Sequence, residues 1–460
     1  MKWPDLDNLA SHVDTAVSSV RLYMYPLRSP LAEKVGYDLN YSGHLALKQR
    51  RKHPWMDLEP LFWKHLPDAV WTEDPRQATF FVIPHTVHAH RVAVDTLPIT
   101  KAHLRNGLLP LLNSIYHETP YYNRSGGADH ILVWVAENGM RCDCNLRMAL
   151  SGEPLAWRML ESVIRVGYWA HDDVEVFGWR LDHDVAVPQW GAVSLTAAPP
   201  PSWQSIVADR RGVSGRRWSF GFHGSYWGTG YTCKAVTGAL HMNSSSAYCA
   251  CSSGVRFWLQ HYMQDQCVNA TSSGSRASEA AATDGLPGRC SLDPGQNAMG
   301  SAWFALCPAA WACWSSRLYH AIDRMVVPVV LADGARQPFE SIFEWRRFSV
   351  TLDVQSLMRQ SPRSKSATGS RTESPTALDE LHDQARAAAR ACASCQECEP
   401  CQRIGLVQKL QRLARVRRWL LYNTSTTYSV AGLFLLELRC RDLWRQGQPA
   451  PCKRLRPGAR

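Results

Sequence analysis

Residues 307–348 read CPAAWACWSSRLYHAIDRMVVPVVLADGARQPFESIFEWRRF. The apolar run AWFAL at 302–306 enters this segment as a strand, and a small-residue loop then leads into a helix over 315–324 that Ser315 or Ser316 can cap. Val327–Leu331 (VPVVL) supplies the next strand, so the unit is strand, helix, strand, the grammar of a parallel sheet. Where the first strand stops, free backbone N–H groups and the positive helix end converge on an anion site. Arg317 at the helix start adds a planar, permanently charged fork suited to a diphosphate. One strand later, past Ala332-Asp333-Gly334, Glu340 stands where dinucleotide-binding folds hold a ribose. An ordinary helix cap and an ordinary helix-start acid are the bland reading of the same residues.

The grammar repeats upstream. RLYMY (21–25) and ATFFVI (78–83) read as strands, Leu104, Leu108, Leu109, Leu111, Leu112 and Ile115 recur at helical spacing, and HILVWVA (130–136) follows as another strand. A Pro/Gly/Ser/Ala-rich passage at 189–214 separates this half from WSFGF (218–222), a helical segment at 254–263 and the strands quoted above. The expectation is an α/β protein of two open domains, 20–190 and 191–267 with 301–358, behind a poorly ordered leader at 1–19. Residues 268–300 and the Cys-containing 359–402 are small and polar, and read as disordered insertions. Helices at 403–446 should brace the domains, leaving a basic tail at 447–460.

Composition narrows the function. Of 460 residues, 45% are hydrophobic and 20% charged, which gives a chain that buries cores. The net charge of +11 lies within 403–460, where thirteen Lys and Arg face only Glu437 and Asp442; the neutral remainder argues against a nucleic-acid-tracking surface. The best apolar run, Val430–Leu438, is too short to span a bilayer, and Met1–Val20 lacks the pattern of a secretory signal. Fifteen cysteines and sequons at Asn40, Asn123, Asn243, Asn269 and Asn423 fit an oxidising, glycosylating compartment.

The wording of seven elements, in order, resembles the exostosin-like glycosyltransferases, glycosyltransferase family 47. They are RLYMY (21–25), TEDPRQATFFVIP (72–84), PYYNRSGGADHILV (120–133), DVAVP (184–188), FGFHG (220–224), GVR (254–256), and SSRLYHAI with PVVLADG and QPFESIFEWRRFSV (315–350). The resemblance implies a GT-B fold of two Rossmann-like domains facing a central cleft. It also implies inverting transfer from a nucleotide-diphosphate sugar, with UDP expected, to a polysaccharide or glycoprotein glycan. The implied location is the Golgi lumen, behind a membrane anchor that this chain does not contain, with a homo- or hetero-oligomer of glycosyltransferases as the implied partner besides the glycan acceptor.

Carried over by motif, Arg317 and Arg256 face the diphosphate, Ser315, Ser316 and Gly224 line its loop, and Glu340 holds ribose or sugar hydroxyls. Trp314 is a candidate cover for sugar or base, although tryptophan is also a common core residue. Two glycines usual in the family are replaced: Pro308-Ala309-Ala310 stands for P-x-G, and Met325 stands in GCIPVI, where a backbone needing positive φ would be strained. His223 also thins the cationic set. Glu137 is the first candidate base, with Asp129 and His130 behind it; the latter two can equally pin the NRSGG loop. Asp182-His183-Asp184 has a D-x-D form, but no catalytic metal and no permanently bound cofactor are expected. The run Cys392, Cys395, Cys398, Cys401 favours disulfides over zinc or an iron–sulfur cluster. A catalytically silent, glycan-binding relative or partner subunit is the alternative.

Overall fold

The computed structural model describes residues 6–26, 62–85, 104–135, 152–173, 178–189, 202–208, 218–222, 287–290, 299–309, 313–359, 376–392, 399–422 and 427–455, with residues 150 and 216 and parts of 255–263. Along the chain run α1 (Leu6–Ser19), β1 (Leu22–Met24), β2 (Phe80–Val82), α2 (Leu109–Glu118), α3 (Tyr121–Ser125), β3 (His130–Val133), α4 (Pro154–Ser162), β4 (Ile164–Gly167), β5 (Ala170–His171) and β6 (Val185–Ala186). There follow α5 (Trp203–Ala208), β7 (Trp218–Gly221), β8 (Gly288–Cys290), β9 (Ala302–Pro308), α6 (Arg317–Asp323), β10 (Val327–Leu331), β11 (Ala335–Arg336) and β12 (Val350–Thr351). The last helices are α7 (Val354–Arg359), α8 (Ala377–Cys392), α9 (Glu399–Gln402), α10 (Gly405–Leu420) and α11 (Val430–Arg445). Two compact units form, Met1–Ala192 with Gly334–Phe343 and Leu421–Arg460, and Val193–Asp333 with Glu344–Leu420. Among the described residues no helix is long and apolar enough to cross a membrane.

In the first unit β1-β2-β3-β4-β6 form a wholly parallel sheet whose strands lie side by side in chain order. Strands β2, β3 and β4 are buried at every position, because helices cover such a sheet and leave no wet face to favour polar residues. Phe81, Leu112, Ile115, Leu132, Met159 and Leu160 form one cluster under α2 and α4. The expected leader is instead α1: Leu9, Val13 and Ala16 are buried at helical spacing, and α1 packs on α11. Three small or medium apolar residues make a thin stripe, which only a close partner covers. Gly432 provides that closeness, since a Cβ there would meet Thr427 O at 2.2 Å and Val13 Cγ1 at 2.7 Å.

In the second unit the order is β12-β10-β9-β7-β8, all parallel. Counted by first appearance this is the 2-1-3-4-5 arrangement of doubly wound sheets, with a topological switch point between β7 and β9. The residues read as an insertion at 268–300 contribute β8, held by Trp218↔Gly288 and Phe220↔Cys290 pairing; three residues carry no periodicity, so their order is set by the partner strand. The insertion expected at 359–402 contains α8, with Leu378, Leu381, Ala385, Ala388 and Cys392 buried. Beyond its first two leucines the seam is Ala385, Ala388 and Cys392, small side chains that supply little apolar area but allow close packing. Cys392 and Cys401 are joined by a disulfide.

Arg216 is buried in this unit. Its guanidinium donates to Gly300 O, Ala302 O, Arg324 O and Met325 O, tying the start of β9 to the turn between α6 and β10. That turn contains Met325 at φ 57°, so the position where the family usually has glycine does require a left-handed residue. A non-glycine there costs on the order of 1–2 kcal/mol, offset by the buried side chain and the arginine clamp.

Candidate functional site

Ligands of open parallel sheets bind beyond the carboxyl ends of the strands at the switch point. Here that places the site past Gly221 and Pro308, and three separate stretches of chain converge there. Phe222 follows β7, and its ring lies 5.0 Å from the Arg317 guanidinium carbon. Arg256 donates through Nε to Ala309 O, just past β9, at 2.9 Å. Burial, and secondarily the charge of Arg317, push Arg256 down to about 9. Burial pushes the Cys307 thiol up to about 12, with Arg317 acting in the opposite direction. Arg317 therefore sits within electrostatic reach of both, half-buried at the start of α6.

Ser315 is buried and, among the described residues, its Oγ has no hydrogen-bond partner. Ser316 precedes α6, but makes no side-chain cap: at φ −57° and ψ −25° its backbone is already helical, which turns Oγ away from the N–H groups a cap would serve. The cap expected from sequence is thus replaced by backbone turns, Leu318 N to Ser315 O at 3.1 Å and Tyr319 N to Ser316 O at 3.1 Å. Trp314 is half-buried beside them. His223, Gly224 and Ala310 lie outside the described residues.

Glu340 belongs to the first unit. Its Oε1 accepts from Gln337 N at 2.7 Å and its Oε2 from Arg336 Nη1 at 3.2 Å, while Arg336 Nε donates to Asp172 Oδ1 at 2.5 Å. The loop is braced further along, where Lys453 N donates to Ser341 O at 2.7 Å and Ser341 Oγ meets Glu437. Phe339 adopts φ 56°, and a cavity of about 20 Å³, room for one water, is lined by Asp184, Arg336, Glu340, Glu437 and Arg441. Arg336 and Asp172 were not singled out from sequence. The four-residue spacing of Arg336 and Glu340 was the available signal, but Asp172 is brought in only by the β5–β11 pairing, Ala335↔His171.

Asp129 and His130 form a chain with Tyr25. The imidazole is fully buried, Nδ1–H donating to Asp129 Oδ1 at 2.7 Å and Nε2 accepting from the Tyr25 hydroxyl at 2.8 Å. Burial holds His130 below its usual value, against the pull of Asp129. For Asp129 burial acts upward but is outweighed by hydrogen bonds from His130 and Ser125, so the carboxylate stays ionised. Both ring nitrogens are engaged, the arrangement of a pin for the NRSGG loop. Glu137 lies outside the described residues.

The D-x-D carboxylates point to arginines. Asp184 is buried and ionised: desolvation opposes the charge, but Arg165, His183 and Arg180 overcome it, with Arg165 Nη2 at 2.5 Å. Asp182 pairs with Arg454 at 3.3 Å. Among the described residues no three His, Cys, Asp or Glu side chains gather as a metal-holding group.

Comparison with known proteins aligns residues 16–365 with the Exostosin GT47 domain. The chain is 25% identical over 307 residues to a probable glucuronoxylan glucuronosyltransferase of Arabidopsis thaliana, covering 64% of this chain and 55% of that protein. It is 24% identical over 344 residues to a second probable glucuronoxylan glucuronosyltransferase of the same plant, IRX7, covering 73% and 64%. A 55-residue stretch, 12% of this chain and 13% of the relative, is 40% identical to the probable beta-1,4-xylosyltransferase IRX10L, also of Arabidopsis thaliana. The chain thus spans less than two thirds of the length of the first two relatives.

Proposed function

Because the chain belongs to the exostosin family, glycosyltransferase family 47, we propose that it moves a sugar from UDP to a polysaccharide or glycoprotein glycan, with inversion at the anomeric carbon. The observation that carries this reading is that two arginines are held past the carboxyl ends of the switch-point strands, Arg256 by Ala309 O beyond β9 and Arg317 over the Phe222 ring beyond β7. Two like charges near one another, one of them buried, raise each other's free energy, and a diphosphate between them relieves that cost. The Ser315 hydroxyl, buried and without a partner among the described residues, is available to donate to a phosphate oxygen.

In this reading the two units are the lobes of a GT-B enzyme. The acceptor hydroxyl attacks C1 from the face opposite the nucleotide; the bond from C1 to the β-phosphate oxygen breaks, and its electron pair leaves on UDP. The arginines stabilise that developing charge more in the transition state than in the ground state. A base takes the hydroxyl proton, with Glu137 as the candidate; the engaged nitrogens of His130 support a positioning role for Asp129 and His130. Glu340, already oriented by Gln337 and Arg336, is the candidate for ribose or sugar hydroxyls, and Trp314 for covering the donor. The names of the relatives support a cell-wall type polysaccharide as acceptor, and disulfides, sequons and family support the Golgi lumen. The test is isothermal titration with UDP: Arg317→Ala should weaken binding at least about tenfold, a loss of about 1.4 kcal/mol. Unchanged affinity overturns the assignment.

A further inference from the structure

The first unit carries an open groove of about 440 Å³ lined by Tyr23, Met24, Pro26, Trp71, Thr72 and Glu73. It lies at the outer edge and carboxyl end of β1, the side of a parallel sheet on which ligands collect. We infer that this groove is a subsite for a neutral pyranose of the glycan acceptor, with Trp71 as the stacking platform and Glu73 as an acceptor for sugar hydroxyls. The inference rests on the reading of the chain as a glycosyltransferase.

The platform is built before any ligand arrives. Trp71 forms an isolated parallel bridge with Leu22, its N–H donates to Asp68 O at 3.1 Å, and Thr72 N donates to Leu22 O at 3.0 Å. The ring of Trp63 meets Trp71 edge-on at 6.1 Å, and Tyr23 meets Tyr25 and Phe81 edge-on at 5.6 and 6.0 Å. Trp71 and Tyr23 are half-buried and both line the groove. Glu73 is exposed at the rim, while the neighbouring Asp74 carboxylate is taken by Arg76 at 2.9 Å.

This combination selects among occupants. A pyranose has an apolar C–H face that covers an aromatic ring and a rim of hydroxyls that donates to a carboxylate. A phosphate or uronate would be repelled by Glu73, and an alkyl chain would desolvate it without a hydrogen bond.

The experiment titrates the full chain with β-1,4-linked xylohexaose, cellohexaose and galactohexaose, and in parallel with UDP. At least one oligosaccharide should bind. Trp71→Ala should weaken it about five- to tenfold, Trp71→Phe less, and Glu73→Gln about two- to fivefold, with the UDP affinity of all three variants at the wild-type value. Glu73 is on the surface, so E73Q decides the matter should W71A misfold. The inference is overturned if none of the three oligosaccharides binds, or if W71A and E73Q bind them as wild type does. Failure of wild type to bind UDP strikes the donor reading instead, and leaves the groove to be judged by the oligosaccharide data.

Discussion

Replacing Arg256 by Gln separates a ligand-binding arginine from a structural one. The guanidinium is only 5% exposed and is pushed down to about 9, which corresponds to about 5 kcal/mol spent on keeping it charged at neutral pH. Glutamine retains a donor for Ala309 O and loses part of the buried stem, a loss of about 1–2 kcal/mol. The unliganded variant should therefore be more stable than wild type by roughly 3–4 kcal/mol, since relief of the charge outweighs the lost packing. UDP stabilisation should shrink at the same time, because the ligand no longer relieves a repulsion. Urea unfolding with and without saturating UDP reads both quantities. A double-mutant cycle with Arg317→Gln should give a coupling of about 0.5–3 kcal/mol, each substitution removing the same repulsion. An unliganded R256Q destabilised by several kcal/mol with its UDP stabilisation intact would refute the reasoning.

Other perturbations test the scaffold. Gly432→Ala should destabilise by at least about 2 kcal/mol, despite the better helix propensity of alanine, because its methyl would meet the Thr427 carbonyl oxygen at 2.2 Å; equal or higher stability in urea would contradict the α1–α11 packing. Gly334→Ala joins φ +71° to a Cβ contact of 2.4 Å with the His171 ring, and should cost about 2 kcal/mol or more by thermal unfolding, a neutral result counting against the β5–β11 pairing. Burial lowers His65, His130 and His183, so the unfolded chain binds protons more readily below their ordinary range near 6.5. Stability should be fully present above that range and fall as the pH drops through it, by up to about 1.4 kcal/mol per pH unit for each histidine; a flat profile from pH 7.5 to 5.5 would contradict their burial.

The strands were legible because both faces of a parallel sheet are apolar: ATFFVI and HILVWVA appear as β2 and β3, and Val327–Leu331 appears as β10 with the expected bounds. What the pattern hid were segments whose order depends on a partner. The stripe of α1 is three residues, the seam of α8 narrows to Ala385, Ala388 and Cys392 after its two leucines, and β8 is three residues long. At the candidate site, Arg317 and Arg256 were readable from motif wording, yet their proximity follows from the order β9-β7, which no local pattern encodes. Glu340 was readable as an acid past β10, but its partner Arg336 is held by Asp172, which lies 164 positions from that arginine and enters through sheet pairing. The replacement of a family glycine by Met325 was visible, and its φ of 57° shows that the conformation persists without the glycine.

A crystal structure of the full chain grown with UDP tests the central claim most directly. The account predicts the diphosphate past the carboxyl ends of β7 and β9, with oxygens about 3 Å from the guanidinium of Arg317 and within reach of Arg256 and the Ser315 hydroxyl. UDP bound elsewhere, or Arg317 turned away from it with no phosphate contact, would contradict the account.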